Sequence, residues 1–384
     1  MSTTTLEPAA PPPAPPVPAT TPPRVDRGER LTIMALGLAR WLAAVFAAVL
    51  IFSVILMTRG ANPVDVFTAA WQNTILNPNS IEQILIKTGP IALAALAVVV
   101  PAAAGLCNVG GEGQLLVGAV AAAGVAMLFD DTLNGTLVMV LMMIAGMAAG
   151  ALWSGIAAVL RVTVKVNEAV STLLLNYIAL DLLLFLIYDP WKDPNGSGQP
   201  ASPPLADTAK LPVFNGTAVN VGIVIVVIAT LVVWFALRGT TWGFRLATVG
   251  GNPEAARRAG FAVTGLLLSG MLVGGALAGL GGMIHYAGTE YQLRPGLLAG
   301  MGYTAFLASW LAKHKPLPVL FSSMLFAALV VAGDSLQIDS GLPAASINIL
   351  TGLILVAVLG WTGTKITPAT LKKLKLAKSE GAVR

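Results

Sequence analysis

Hydrophobic residues run through this chain in long blocks separated by short polar stretches. They neither alternate as in a half-buried strand nor form the one-sided stripe of a soluble helix. Read by length, the blocks predict ten apolar segments, at 33–57, 89–106, 115–129, 136–160, 168–188, 219–237, 261–284, 296–312, 316–333 and 345–361. Several fall short of the roughly 20 residues that a straight helical crossing needs, which predicts tilted or broken helices.

The stretches between the blocks predict an orientation. With the N-terminus in the cytoplasm, only Arg59, Lys87, Lys192, Lys210 and Arg294 of the 23 Lys and Arg residues fall on the outer side, and Arg40 lies within the first span. The others, from Arg24 through Arg161, Arg238 and Lys313 to Arg384, lie inside, as the positive-inside rule requires. The predicted fold is all-α: a polytopic membrane protein of about ten transmembrane helices, with both termini cytoplasmic and one broken or re-entrant region near 105–115. Residues 1–30 read as a disordered, proline-rich cytoplasmic tail without the basic start and apolar core of a cleaved signal peptide. Residues 31–362 form the transmembrane domain, with an outer loop at 189–218 and an inner loop at 238–261; residues 363–384 form a basic cytoplasmic tail.

Composition agrees. The chain is 56% hydrophobic and 11% charged, with a mean hydropathy of +0.79, whereas a soluble domain carries about a quarter charged residues. The net charge of +5 comes from basic residues at helix ends, so it speaks for orientation and against a nucleic-acid partner. A single cysteine, Cys107, excludes an internal disulfide and reads as a small packing residue. His285 and His314 lie far apart and have no metal-ligand spacing, so no metal site is expected. No phosphate loop and no nucleophile–histidine arrangement is present, so no catalytic residue is expected. The few acids within apolar segments have no basic partner evident in the sequence, which disfavours a proton pump. An ion-coupled carrier would need an inverted repeat, and the 105–115 region has no counterpart in the other half.

Three polar constellations stand out. In "GLCNVGGEGQLLVGA" (105–119), Asn108, Glu112 and Gln114 sit among glycines at membrane depth, with Glu112 at the start of a helix whose dipole favours an anion. The stretch reads either as a cap that fixes a broken helix or as a polar wall of a path, and the two are compatible. In "VNEAVSTLLLNYIALD" (166–181), Glu168, Thr172 and Asn176 recur every four residues on one helix face, bordered by Ser171. Such a stripe points into the protein or a wet path, or serves interhelical hydrogen bonding. Asp181, off the stripe, reads as a structural buried acid. In "GGNPEAARRAGF" (250–261), Asn252 caps a helix begun by Pro253 and Glu254, and Gly260 ends it. This short charged helix is either a docking surface or a positive-inside anchor.

Together, in this order, these stretches resemble the permease subunits of bacterial ABC importers for nucleosides and simple sugars, nearest to the nucleoside branch. The resemblance implies a transmembrane permease in the cytoplasmic membrane, surrounded by lipid, paired with a related or identical second permease. It also implies two ATPase subunits inside, which bind ATP and Mg so that this chain needs no cofactor, and an extracytoplasmic binding protein or lipoprotein that delivers the small-molecule solute. On that likeness Gly251, Asn252, Glu254, Ala255, Ala256, Arg257 and Gly260 couple to the ATPase. Asn108, Glu112, Gln114, Asn167, Glu168 and Asn176, with Ser171 and Thr172 on the same helix, belong to the path. The implied cargo is a nucleoside, with a simple sugar such as ribose as the alternative.

Overall fold

The computed structural model describes residues 27–129, 132–196, 198–298, 300–340, 349–350 and 352–353. The chain divides into two compact units, residues 1–47 with 357–384 and residues 48–356; the contacts described below lie within the second.

The described residues form twelve α-helices: α1 (Arg27–Thr58), α2 (Pro63–Thr74), α3 (Pro78–Ala103), α4 (Gly111–Phe129), α5 (Gly135–Thr163), α6 (Glu168–Tyr188), α7 (Gly222–Gly239), α8 (Thr241–Gly251), α9 (Pro253–Arg258), α10 (Val263–His285), α11 (Met301–Leu311) and α12 (Pro316–Ser340). A π-helical turn, Tyr286–Glu290, extends α10. Asparagine starts many of these helices. Asn62, Asn77, Asn134, Asn167 and Asn252 each accept a first-turn N–H through the side-chain oxygen. Pro63, Pro78 and Pro253 follow directly, where the missing N–H costs no helical bond.

Among the described residues, seven helices are long and apolar enough to cross a membrane: α3, α4, α5, α6, α7, α10 with its π turn, and α12. The Phe46–Thr58 part of α1 and α2 form a further apolar pair bent by 112°. The protein is therefore an all-α, multi-pass membrane protein. The expected span at 345–361 lies largely outside the described residues, as do the two tails apart from residues 27–30. The apolar block at 296–312 supplies only α11, whose 11 residues measure about 16 Å, half a crossing. It starts late because Gly300 takes a left-handed φ of 86° and turns the chain into the helix there. At the other extreme, α3 begins well before its apolar block, because Asn77 and Pro78 supply a cap and a first turn ahead of it.

At the centre stands α3, with 89% of its most apolar stretch buried and Ile91 through Ala97 fully enclosed. A helix apolar all round needs neighbours on every side; α10, α12, α11 and α7 provide them. Where α10 meets α4 and α5, glycines bring backbones into direct contact: a Cβ on Gly279 would stand 2.0 Å from the Gly146 carbonyl oxygen, and one on Gly118 2.4 Å from the Gly279 Cα.

The 189–218 loop is laid against the residues after α10. The Ser202, Leu205 and Leu211 N–H groups donate to the carbonyls of Leu293, Tyr291 and Ala287 at 2.8–2.9 Å, and the Asn220 amide donates to Gly288 O at 2.9 Å. Lys210 sits over the Tyr291 ring and hydrogen-bonds Asp207, which holds that carboxyl below its usual range.

Candidate functional site

The chain leaves α3 at Ala103 and does not re-enter a helix until Gly111. This break is deep: Asn108 is 0% and Gln114 1% exposed. A buried N–H without a partner costs roughly 1–3 kcal/mol, so each broken-segment group needs an acceptor. The stripe on α6 supplies them. Glu168 Oε1 accepts from the Cys107 N–H at 3.1 Å, Thr172 Oγ1 from Val109 N–H at 3.1 Å, and Asn176 Oδ1 from Gly113 N–H at 2.8 Å. Asn176 also donates to the Val109 carbonyl at 3.1 Å and to the Tyr303 hydroxyl at 3.4 Å. The stripe residues are one helical turn apart, so the backbone from Cys107 into the first turn of α4 climbs about 12 Å along α6.

The remaining polar groups of the break serve one another. Asn108 and Gln114 pair amide to amide, Nδ2 to Oε1 at 3.0 Å and Nε2 to Oδ1 at 2.9 Å. Asn108 also donates to Ala97 O at 3.0 Å and accepts from Gly110 N–H at 3.0 Å. Glu112 reaches across to α11, where its two oxygens accept from the Gly300 N–H at 3.0 Å and the Gly302 N–H at 2.6 Å. It stands at the N-termini of both α4 and α11, and two helix dipoles favour its charge. The half-length of α11 has its explanation here: it begins inside the bundle, against this carboxylate.

Two readings from the sequence need correction. Glu168 does have a basic partner, since Arg161 Nε lies 3.2 Å from its Oε2. Spacing along one helix could not show this pair, because the chain reverses between them at Lys165, φ 58°. Asp181 is exposed on the opposite face of α6, in a row with Val170, Leu174 and Tyr177. Val170 and Leu174, earlier in the same row, mark that face as apolar in the sequence. The other two helix-start residues act locally: exposed Asn167 caps α6 through Ala169 N–H at 2.9 Å, and Ser171 Oγ donates to Asn167 O at 3.1 Å.

The 251–260 segment is a separate, exposed structure. Asn252 Oδ1 accepts from the N–H groups of Glu254 and Ala255 at 3.1 and 3.0 Å, and Gly260 ends the turn with φ 83°. Glu254 pairs with Arg257 at 3.2 Å and Arg258 at 3.3 Å. Ala256 is the buried anchor, packed with Val249 and Val263, while Gly251, Asn252, Ala255, Arg257 and Gly260 face outward. Preceding it, α8 ends on the break itself: a Cβ on Gly250 would lie 2.3 Å from Ala103 O. The sequence shows no sign of this contact, which joins the exposed helix to the foot of the climb. The Lys313–Lys315 turn carries His314, whose imidazole is pushed below its usual value by burial and lies 2.9 Å from Ser309 Oγ. Among the described residues, no group of three or more His, Cys, Asp or Glu is placed to hold a metal ion.

Comparison with known proteins agrees with this architecture. Residues 80–359 match the family described as branched-chain amino acid transport system, permease component. A glucose ABC transporter permease protein of Haloferax volcanii is 33% identical over 336 residues, 83% of this chain and 88% of its own. A guanosine ABC transporter permease protein of Bacillus subtilis is 28% identical, covering 84% and 92%. A nucleoside ABC transporter permease protein of Lactococcus lactis is 28% identical, covering 89% and 95%. The chain thus belongs to the branched-chain amino acid transport system permease family, as a multi-pass ABC-type permease related to both sugar and nucleoside permeases.

Proposed function

We propose that this chain forms the translocation path of an ATP-driven importer for nucleosides, working with a second permease, two cytoplasmic ATPase subunits and an extracytoplasmic solute-binding protein. As a permease component it is a transport subunit and not an enzyme. One observation carries the mechanism: the exposed α9 helix is joined through α8 and the Gly250–Ala103 contact to the broken segment. ATP-driven movement of partners that grip Gly251–Gly260 would pull on Ala103–Gly105, and through the climb on Glu112 and α11. In this scheme Asn108, Glu112, Gln114, Glu168, Thr172 and Asn176 hold the wall of the path, because their hydrogen-bonding groups already serve backbone and one another. The solute meets the other face of α6. Tyr177 and Asp181 project from it, and a carboxylate in a lipid-facing row costs too much unless a second permease or water covers it.

A sugar is the second reading, favoured by the glucose-named relative at 33% identity. Uptake of labelled adenosine, uridine, ribose and glucose by cells with the complete importer, with and without this chain, separates the two. The expected result is ATP-dependent nucleoside uptake that requires this chain; uptake of sugars alone moves the cargo, and uptake of none removes the import reading. In the same cells, Glu254→Ala with Arg257→Ala should leave insertion intact but abolish solute-stimulated ATP hydrolysis. Unchanged hydrolysis and uptake in that double variant would refute the docking role.

A further inference from the structure

At the other end of α3 lies a cleft of about 500 Å³ between α2, α3 and α12, within the roughly 300–1,000 Å³ of small-molecule sites. Apart from Val331, its lining residues carry polar side chains, and their carbon stems form part of the wall. Ser80, Gln83 and Lys87 line it from one face of α3, at i, i+3 and i+7, with the cap residue Asn77 above them. Asp334 and Ser335 face them from α12, and the Lys87 Nζ lies 3.4 Å from Asp334 Oδ2. Ser80 Oγ donates to Asn73 O at 2.6 Å, which ties the end of α2 to the start of α3. Lys87 is about 24 Å along α3 from Ala103, so the cleft opens well away from α8 and α9.

The contrast with the broken segment is informative. There every amide is buried and engaged; here Gln83 is exposed, and among the described residues its amide has no protein partner. An amide both donates and accepts, Asp334 accepts, and Lys87 donates. That set matches adjacent ring hydroxyls, each of which donates and accepts. It suits a simple ion less well: Asp334 repels an anion and Lys87 repels a cation.

We propose that this cleft binds a polyhydroxylated ring, either a free pentose or hexose or the ribose of a nucleoside. The proposal rests on the import reading above and adds a solute site to it, distinct from the broken segment. The sequence contains only one cysteine, Cys107, so Gln83→Cys in a Cys107→Ala background reports on the cleft directly. Cells carrying the complete importer are labelled with a membrane-impermeant maleimide in the presence of ribose, glucose, uridine or uracil. Ribose or uridine near saturation should slow labelling roughly ten-fold, and uracil should not. Protection by uridine but neither sugar marks the nucleoside as the source of the ring; protection by sugars alone marks the free sugar. Asp334→Asn should raise the half-protecting concentration about ten-fold, the loss of a charge-assisted hydrogen bond.

Protection by uracil equal to that by uridine would overturn the ring assignment. Absence of protection by any solute, in cells that import one of them, would overturn the site and leave the importer standing. Protection in cells that import none would instead keep the site and remove the import reading.

Discussion

Asn176 connects three segments through one carboxamide: Gly113 on α4, Val109 in the break, and Tyr303 on α11. Replacing it with Leu strands the Gly113 N–H and the Val109 carbonyl in a buried place, at about 1–3 kcal/mol for each stranded group. Thr172→Val strands the Val109 N–H in the same way, whereas Thr172→Ser keeps the accepting oxygen. We therefore predict a lower thermal midpoint in detergent for Asn176→Leu and Thr172→Val, and a near-native one for Thr172→Ser. Asp181→Asn should leave the midpoint unchanged and slow uptake, since that side chain is exposed in this chain. A native midpoint for Asn176→Leu would show that the climb does not depend on its ladder. The four-residue spacing of Glu168, Thr172 and Asn176 made their common face legible in the sequence. What they bond to was not legible, because Cys107, Val109 and Gly113 are 61 to 63 positions away along the chain.

Element by element, apolar length predicted α4 to α7 and α10 within a few residues, since that signal is local, and it placed the start but not the end of α12, which runs on to Ser340. The α11 half-helix escaped that reading because its start depends on Gly300 and on a carboxylate far away in sequence, Glu112. Glycine content alone was equally silent about which glycines pack. In α10, Gly279 touches α5 and α4 backbone, whereas a Cβ on Gly265 would meet nothing within 4 Å. The two sites should therefore respond oppositely to the same substitution. Gly265→Ala replaces an exposed helical glycine and should stabilise by about 0.5–1 kcal/mol. Gly279→Ala forces three helices apart, and should lower the thermal midpoint and the yield of folded protein. Equal behaviour of the two variants in a detergent melt would mean that the seam is looser than its geometry.

Within residues 48–356, the fold joins an exposed charged helix to a buried polar segment through the backbone packing of Gly250 on Ala103–Gly105. Neither end depends on it for local stability: α9 has its own cap and its anchor Ala256, and the climb has the α6 ladder. The contact is therefore available for transmitting movement, and its two neighbouring glycines allow a clean test. Alanine at Gly250 would place a Cβ 2.3 Å from the Ala103 carbonyl oxygen and 3.0 Å from Gly105 N, so α8 must shift off α3; alanine at Gly251 meets nothing within 4 Å. Both changes exchange one small helical residue for another, so the helix itself is not weakened. We predict that Gly250→Ala still assembles with the ATPase subunits, as judged by co-purification, and still hydrolyses ATP. Its solute-stimulated component and its uptake should fall together, by at least about ten-fold, which corresponds to roughly 1.4 kcal/mol of lost coupling. Gly251→Ala leaves the packing of α8 on α3 untouched and alters only the face that the ATPase grips, so its effect should fall on co-purification and not on the coupling of assembled complexes. If Gly250→Ala transports normally, force from the ATPase reaches the break by another route, and α8 serves only to hold α9 in place.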